Sequence, residues 1–168
     1  MGSLEEMKKN DVIFFITAAA IILLDQITKY YINSYMSVGD SFPVIQGLFN
    51  IAHVRNPGAA FGIFSKSPEI FRTVFLIAVT SAAMVLIVYY IRMNRERGIL
   101  LNLAMSMIFG GAIGNLIDRI RFGEVIDFLD FYIGSHHWPA YNVADSAIST
   151  GAVLLLIAMV WKKGEKVG

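Results

Sequence analysis

Cysteine is absent from the 168 residues, which excludes a disulfide, a thiolate nucleophile, a Cys-ligated zinc site and an iron–sulfur cluster. Charge is scarce as well: charged residues make up 16% of the chain, against roughly 25% in soluble domains. The net charge of +1 is too small for the basic field of a nucleic-acid binder, so no nucleic-acid partner is expected. No H-E-x-x-H, G-x-S-x-G or S-x-x-K occurs, so the usual zinc and serine hydrolase arrangements have no carrier. His136 and His137 are adjacent and point apart, and His53 is isolated. No metal site and no cofactor are expected. Internal repeats, low-complexity tracts and linkers are also lacking, and the length fits one domain, residues 1–168.

What the chain has in abundance is apolar surface, 56% of its residues. Four segments approach the ~20 apolar residues that cross a bilayer as helix: about 12–31, 70–91, 99–117 and 144–161. The expected fold is an all-α membrane protein of four transmembrane helices, with a small extracytoplasmic β-sheet segment and an outer loop or helix. Residues 1–6, "MGSLEE", read as an added leader before Met7. A cleavable signal peptide is the weaker reading of the first span, because three more apolar segments follow. Lys8 and Lys9 precede span one, Arg92, Arg95 and Arg97 follow span two, and Lys162, Lys163 and Lys166 follow span four. The positive-inside rule then places both termini in the cytoplasm and the other two loops outside.

The first outer segment, "SVGDSFPVIQGLFNIAHVRNPGAAFGIF", mixes β-branched runs with Gly and Pro and reads as a small twisted sheet. In the second, Tyr132, Trp138 and Tyr141 suit the headgroup layer.

Polar residues crowd the outer ends of these greasy spans, and each has two readings. Asn115, Asp118 and Arg119 share one face if span three stays helical through them. They form either a salt bridge that ends the span or part of a site. Gly110 and Gly114 make a GxxxG, a signal for close helix contact. Asp127 and Asp145 stand where spans meet the surface without a basic residue at helical spacing, a costly place for a lone carboxylate. Asn142 either orients Asp145 or, with Ser146, caps span four. Asp25 and Lys29, at i and i+4, pair along span one. Asn56 opens a turn before Pro57, or holds an extended peptide. Paired carboxylates are then the remaining means of hydrolysis: one ionised Asp activates water while a protonated partner donates.

Five ordered stretches carry a resemblance: "DQITK" from Asp25, "RNPGAAFG" from Arg55, "GGAIGNLIDR" from Gly110, "GEVIDF" up to Phe128, and "WPAYNVAD" from Trp138 to Asp145. Together they resemble the lipoprotein signal peptidases (signal peptidase II), bacterial membrane aspartyl peptidases, over essentially the whole chain after Met7. The resemblance implies that Asp127 and Asp145 are the catalytic pair. It implies that Asn56, Asn115, Arg119 and Asn142 line the substrate pocket and that Asp25, Lys29 and Asp118 support it. It further implies a plasma (inner) membrane protein with its site at the extracytoplasmic face. The implied substrate is a prolipoprotein whose signal peptide is cut before a diacylglyceryl-Cys. Membrane lipids are the remaining partners, and a monomer is expected. A proton-coupled transporter is the rival reading, although such carboxylates usually lie near the midplane, often within repeat symmetry.

Overall fold

The computed structural model describes residues 2–58, 68–94 and 98–164. Ala59 to Gly62 of the second motif, and Arg95, Arg97 and Lys166 of the basic segments, lie outside the described residues. Helix α1 runs Gly2–Tyr35, α2 Glu69–Met93, α3 Ile99–Phe122 and α4 Val143–Gly164. Their apolar membrane-length parts are Lys9–Tyr35, Glu69–Met93, Ile99–Phe122 and Val143–Val160, so all four expected spans are present. Pro68 precedes the first turn of α2 and cannot extend it backwards as helix. Gly123, in the left-handed conformation at φ 76°, stops α3 and donates its N–H to Arg119 O at 3.0 Å. Helix α3 therefore does continue through Asp118 and Arg119.

Helix α3 packs against the other three. The GxxxG is a close helix contact: a Cβ on Gly110 would lie 2.9 Å from Ala18 O, and one on Gly114 would lie 2.5 Å from Asp25 Oδ2. Gly151 does the same for α4, where a Cβ would come within 2.8 Å of Ala104 O. Small residues let polar groups meet inside while large apolar ones, such as Ile70, Leu86 and Val160, stay exposed on the outside. Asp25, Lys29, Asn115, Asp118 and Asn142 are instead buried. At the opposite end of the bundle, Asn102 Nδ2 donates to Asn10 O at 2.8 Å.

The expected small sheet is present and draws on the segments that follow spans one and three. Strands β1 (Ser41–Ile45) and β2 (Phe49–Asn56) come from the first, β3 (Val125–Ile133) and β4 (His136–His137) from the second. They pair antiparallel in the order β1-β2-β3-β4. Between Ile51↔Leu129 and Val54↔Asp127 the register shifts, so a bulge occupies Ala52 and His53. Both bulge residues are buried. His53 Nδ1–H donates to Met36 O at 2.9 Å and fixes the bulge to the chain leaving α1. The shift has a consequence for the site. A one-residue change of register exchanges the two faces of a strand, and here it puts Asn56 on the face of Asp127 and Arg55, paired with Ile126, on the other.

Candidate active site

The site is assembled where the sheet meets the ends of α1, α3 and α4. Asp127 comes from β3 rather than from the end of a span, and its side chain is 1% exposed. Asp145 stands in the first turn of α4. Three asparagines donate to the two carboxylates, and each is oriented by what its oxygen accepts. Asn56 Oδ1 accepts the Gly58 N–H at 2.9 Å, so its NH2 turns to Asp127 Oδ2 at 2.8 Å. Asn142 Oδ1 accepts the Asp145 N–H at 2.9 Å, so its NH2 reaches Asp127 Oδ1 at 2.7 Å. Asn115 Oδ1 accepts from Lys29 Nζ at 2.9 Å, which turns its NH2 to Asp145 Oδ1 at 2.7 Å.

The plain roles of Asn142 and Asn56 are also present. Asn142 does cap α4, because its side chain takes the third N–H of the helix while Asp145 Oδ2 accepts the Asn142 N–H at 3.3 Å. Ser146 Oγ donates to Asn142 O at 2.9 Å. Asn56 does open a turn, closed on Gly58. Gly58 has φ +95°, a conformation that favours glycine, and a Cβ there would push the end of the Leu76 side chain of α2 aside.

Beneath this layer lies a buried ion cluster. Lys29 Nζ pairs with Asp25 Oδ2 at 2.9 Å and Asp118 Oδ2 at 3.0 Å, and with Asn115 Oδ1 its three N–H donors are all used. Asp118 Oδ2 also accepts the Ile126 N–H at 3.1 Å and so ties α3 to β3. Asp25 Oδ1 accepts the Ala144 N–H at 2.9 Å and so ties α1 to the start of α4. The i, i+4 pair foreseen along span one is thus the centre of a cluster joining α1, α3, α4 and β3. Gln26 completes it, donating to Gly114 O and Asp118 Oδ1, both at 3.1 Å. Sequence reading gave Gln26 no role; its one signal was an amide inside an apolar span.

Arg119 differs from every other polar group here. Its buried Nε has no hydrogen-bond partner, and among the described residues it forms no ion pair. The charges of Asp145, Asp127 and Asp118 all act on it. It is a cation held near the carboxylate pair with donors to spare. Among the described residues no group of three or more His, Cys, Asp or Glu could hold a metal ion. His137 is taken up by Asp130 at 2.8 Å.

The Asp127 carboxyl is pushed from 3.8 up to about 7, chiefly by burial and next by the charge of Asp145. Hydrogen bonds from Asn56 and Asn142, and the Lys29 charge, pull the other way. A carboxyl raised on folding holds a proton that the unfolded chain releases above about pH 4. The folded protein should therefore lose stability as pH rises from about 4 to about 7, and Asp127→Asn should remove that loss. Melting of detergent-purified protein at pH 5 and pH 8 checks this. Equal losses in wild type and variant would show that Asp127 is not the group responsible.

Known proteins resemble this chain over nearly its whole length. The family model described as Signal peptidase (SPase) II matches residues 17–161. A lipoprotein signal peptidase of Syntrophus aciditrophicus is 50% identical over 160 residues, 95% of this chain and 99% of the relative. One from Geobacter metallireducens is 48% identical over 154 residues, 92% of this chain and 94% of the relative. A solved bacterial membrane enzyme, determined by the in meso method at 2.3 Å, superposes with a TM-score of 0.81 at 36% identity. It covers 91% of this chain and 90% of its own. Motifs, four-span fold and whole-length likeness converge, and the chain belongs to the signal peptidase II family of aspartic-type membrane peptidases.

Proposed function

We propose that the chain removes signal peptides from diacylglyceryl-modified prolipoproteins, cutting before the lipidated cysteine by water activation between Asp127 and Asp145. The observation that carries the mechanism is the orientation of three asparagine amides, all of whose NH2 groups face the two carboxylates. Burial and the charge of Asp145 push the Asp127 carboxyl up to about 7, so a proton is available within the pair near neutral pH. The ionised member takes a proton from water, which attacks the scissile carbonyl. The protonated member donates to the carbonyl oxygen, and a proton then passes to the leaving amine as the C–N bond breaks. Asn115 and Asn142 are mostly occupied with holding the pair. Arg119 and the second N–H of Asn56 are the groups left to bind the substrate backbone or lipid ester.

A transporter is not favoured, because the carboxylates gather at one end of the bundle beside a sheet. Turnover of a diacylated prolipoprotein by purified protein in detergent tests the reading. Cleavage before the lipidated cysteine is the expected result, and a well-folded preparation that leaves the substrate intact would overturn it.

The proposed location is the bacterial plasma membrane, with both termini cytoplasmic and the site at the extracytoplasmic face. The eight basic residues around three inner segments support it. In intact cells, a single cysteine at Asn94 should be protected from an impermeant thiol reagent and one at Ser135 should label. The reverse pattern would invert the topology.

A further inference from the structure

Strand alternation sets a second polar cluster back to back with the first. Asn56 and Asp127 point to one face of the β2–β3 pair, so Arg55 and its partner Ile126 point to the other. There the Arg55 guanidinium carbon lies 4.8 Å from the centre of the Phe122 ring, and that of Arg121 lies 5.2 Å from the same centre. The two charges thus stand within about 10 Å of each other, one Debye length at 0.1 M salt. Among the described residues neither pairs with a carboxylate. Arg55 bonds instead to the neutral Asn33 Oδ1. A cavity of about 40 Å³ opens beside them, lined by Tyr30, Asn33, Arg121, Phe122 and Ile126, with Lys29 and Asp118 also on its wall. Lys29 is shared between Asp118 and Asp25, a cluster with one negative charge in excess, so with the two arginines counted the surroundings of the cavity keep a single surplus positive charge.

We propose that this cluster binds the phosphate of an anionic phospholipid headgroup. Planar guanidinium forks match phosphate oxygens, and an anion between Arg55 and Arg121 relieves their repulsion. Tyr30, exposed on α1, and the Asn33 amide add neutral donors. A lipid is the fitting source because the cluster lies at the ends of two spanning helices, above exposed Leu23, Ile27 and Ile120 that suit acyl chains. The site is separate from the peptidase centre and does not depend on the assignment of the catalytic pair.

The test titrates detergent-purified full chain with phosphatidylglycerol, with diacylglycerol, which has no phosphate, and with inorganic phosphate. Lipid retention is read by native mass spectrometry and the melting temperature by fluorescence. Phosphatidylglycerol should be retained and raise the melting temperature, and diacylglycerol should not. Arg55→Gln and Arg121→Gln should each weaken phosphatidylglycerol binding about fivefold, the usual worth of one basic residue at an anionic surface. Arg121 is exposed, so its variant should fold normally. Arg121→Lys should fall between, since it keeps charge without the fork. Wild-type affinity in the double Gln variant would overturn the proposal, as would an equal response to diacylglycerol. Displacement of the lipid by equimolar inorganic phosphate would assign the cluster to a free anion instead, and slowed cleavage by the variants in lipid-free detergent would move both arginines into the peptidase site.

Discussion

Asp127→Asn and Asp145→Asn should each lower cleavage of a diacylated prolipoprotein by at least on the order of 10³-fold while keeping the fold. Each change is nearly isosteric and, on the proposed mechanism, removes either the group that takes the proton from water or the group that supplies one. Asp127 accepts hydrogen bonds from Asn56 and Asn142, and Asp145 accepts from Asn115. An Asn at either place retains one acceptor oxygen, and at 127 it also relieves a buried charge. Residues acting as one unit are non-additive, so the double variant should be hardly slower than either single one. The pH dependence of wild-type turnover should be bell-shaped and belong to the pair, with neither limb owned by one residue. Single-turnover cleavage by variants that melt no lower than wild type is the measurement. Substantial turnover by either well-folded variant would falsify the dyad.

Lys29→Met carries the largest expected effect on stability. Lys29 is 2% exposed and is the shared cation of two carboxylates that are 0% and 1% exposed. Removing it leaves Asp25 and Asp118 buried and uncompensated, a loss of about 3–5 kcal/mol. For a chain of this size that lowers the melting temperature by on the order of 10 °C. The substitution also frees the oxygen of Asn115, whose bond to Lys29 is what turns the NH2 toward Asp145. Activity should therefore fall even at temperatures where the variant remains folded. Adding Asp25→Asn and Asp118→Asn should recover part of the stability, because neutral amides do not require the cation. A Lys29→Met protein that melts with wild type would mean that water or another cation reaches the two carboxylates.

Much of this protein is readable without coordinates. Hydropathy is a local property, and a bilayer imposes one length on every span, so the four helices follow from runs of apolar residues alone. Helical spacing is local too: Asn115, Asp118 and Arg119 share a face, and Asp25 reaches Lys29, whatever the rest of the chain does. The candidate carboxylates stood out because an unpaired Asp beside lipid is expensive.

What only the tertiary structure decided are relations between residues far apart in sequence. The bulge at Ala52 and His53 sets the face on which Asn56 appears, and no periodicity within β2 announces it, because register is decided by the partner strand. The oxygen of each asparagine had to be claimed by a donor before its NH2 could point at a carboxylate. For Asn115 that donor is Lys29, which lies 86 residues away. One lysine serves both Asp25 and Asp118 because glycine lets α1 and α3 approach closely enough for both carboxylates to reach it. Sequence determined which groups lie near the membrane edge; packing in three dimensions determined which face one another, because hydrogen-bond direction and strand phase are properties of pairs rather than of residues.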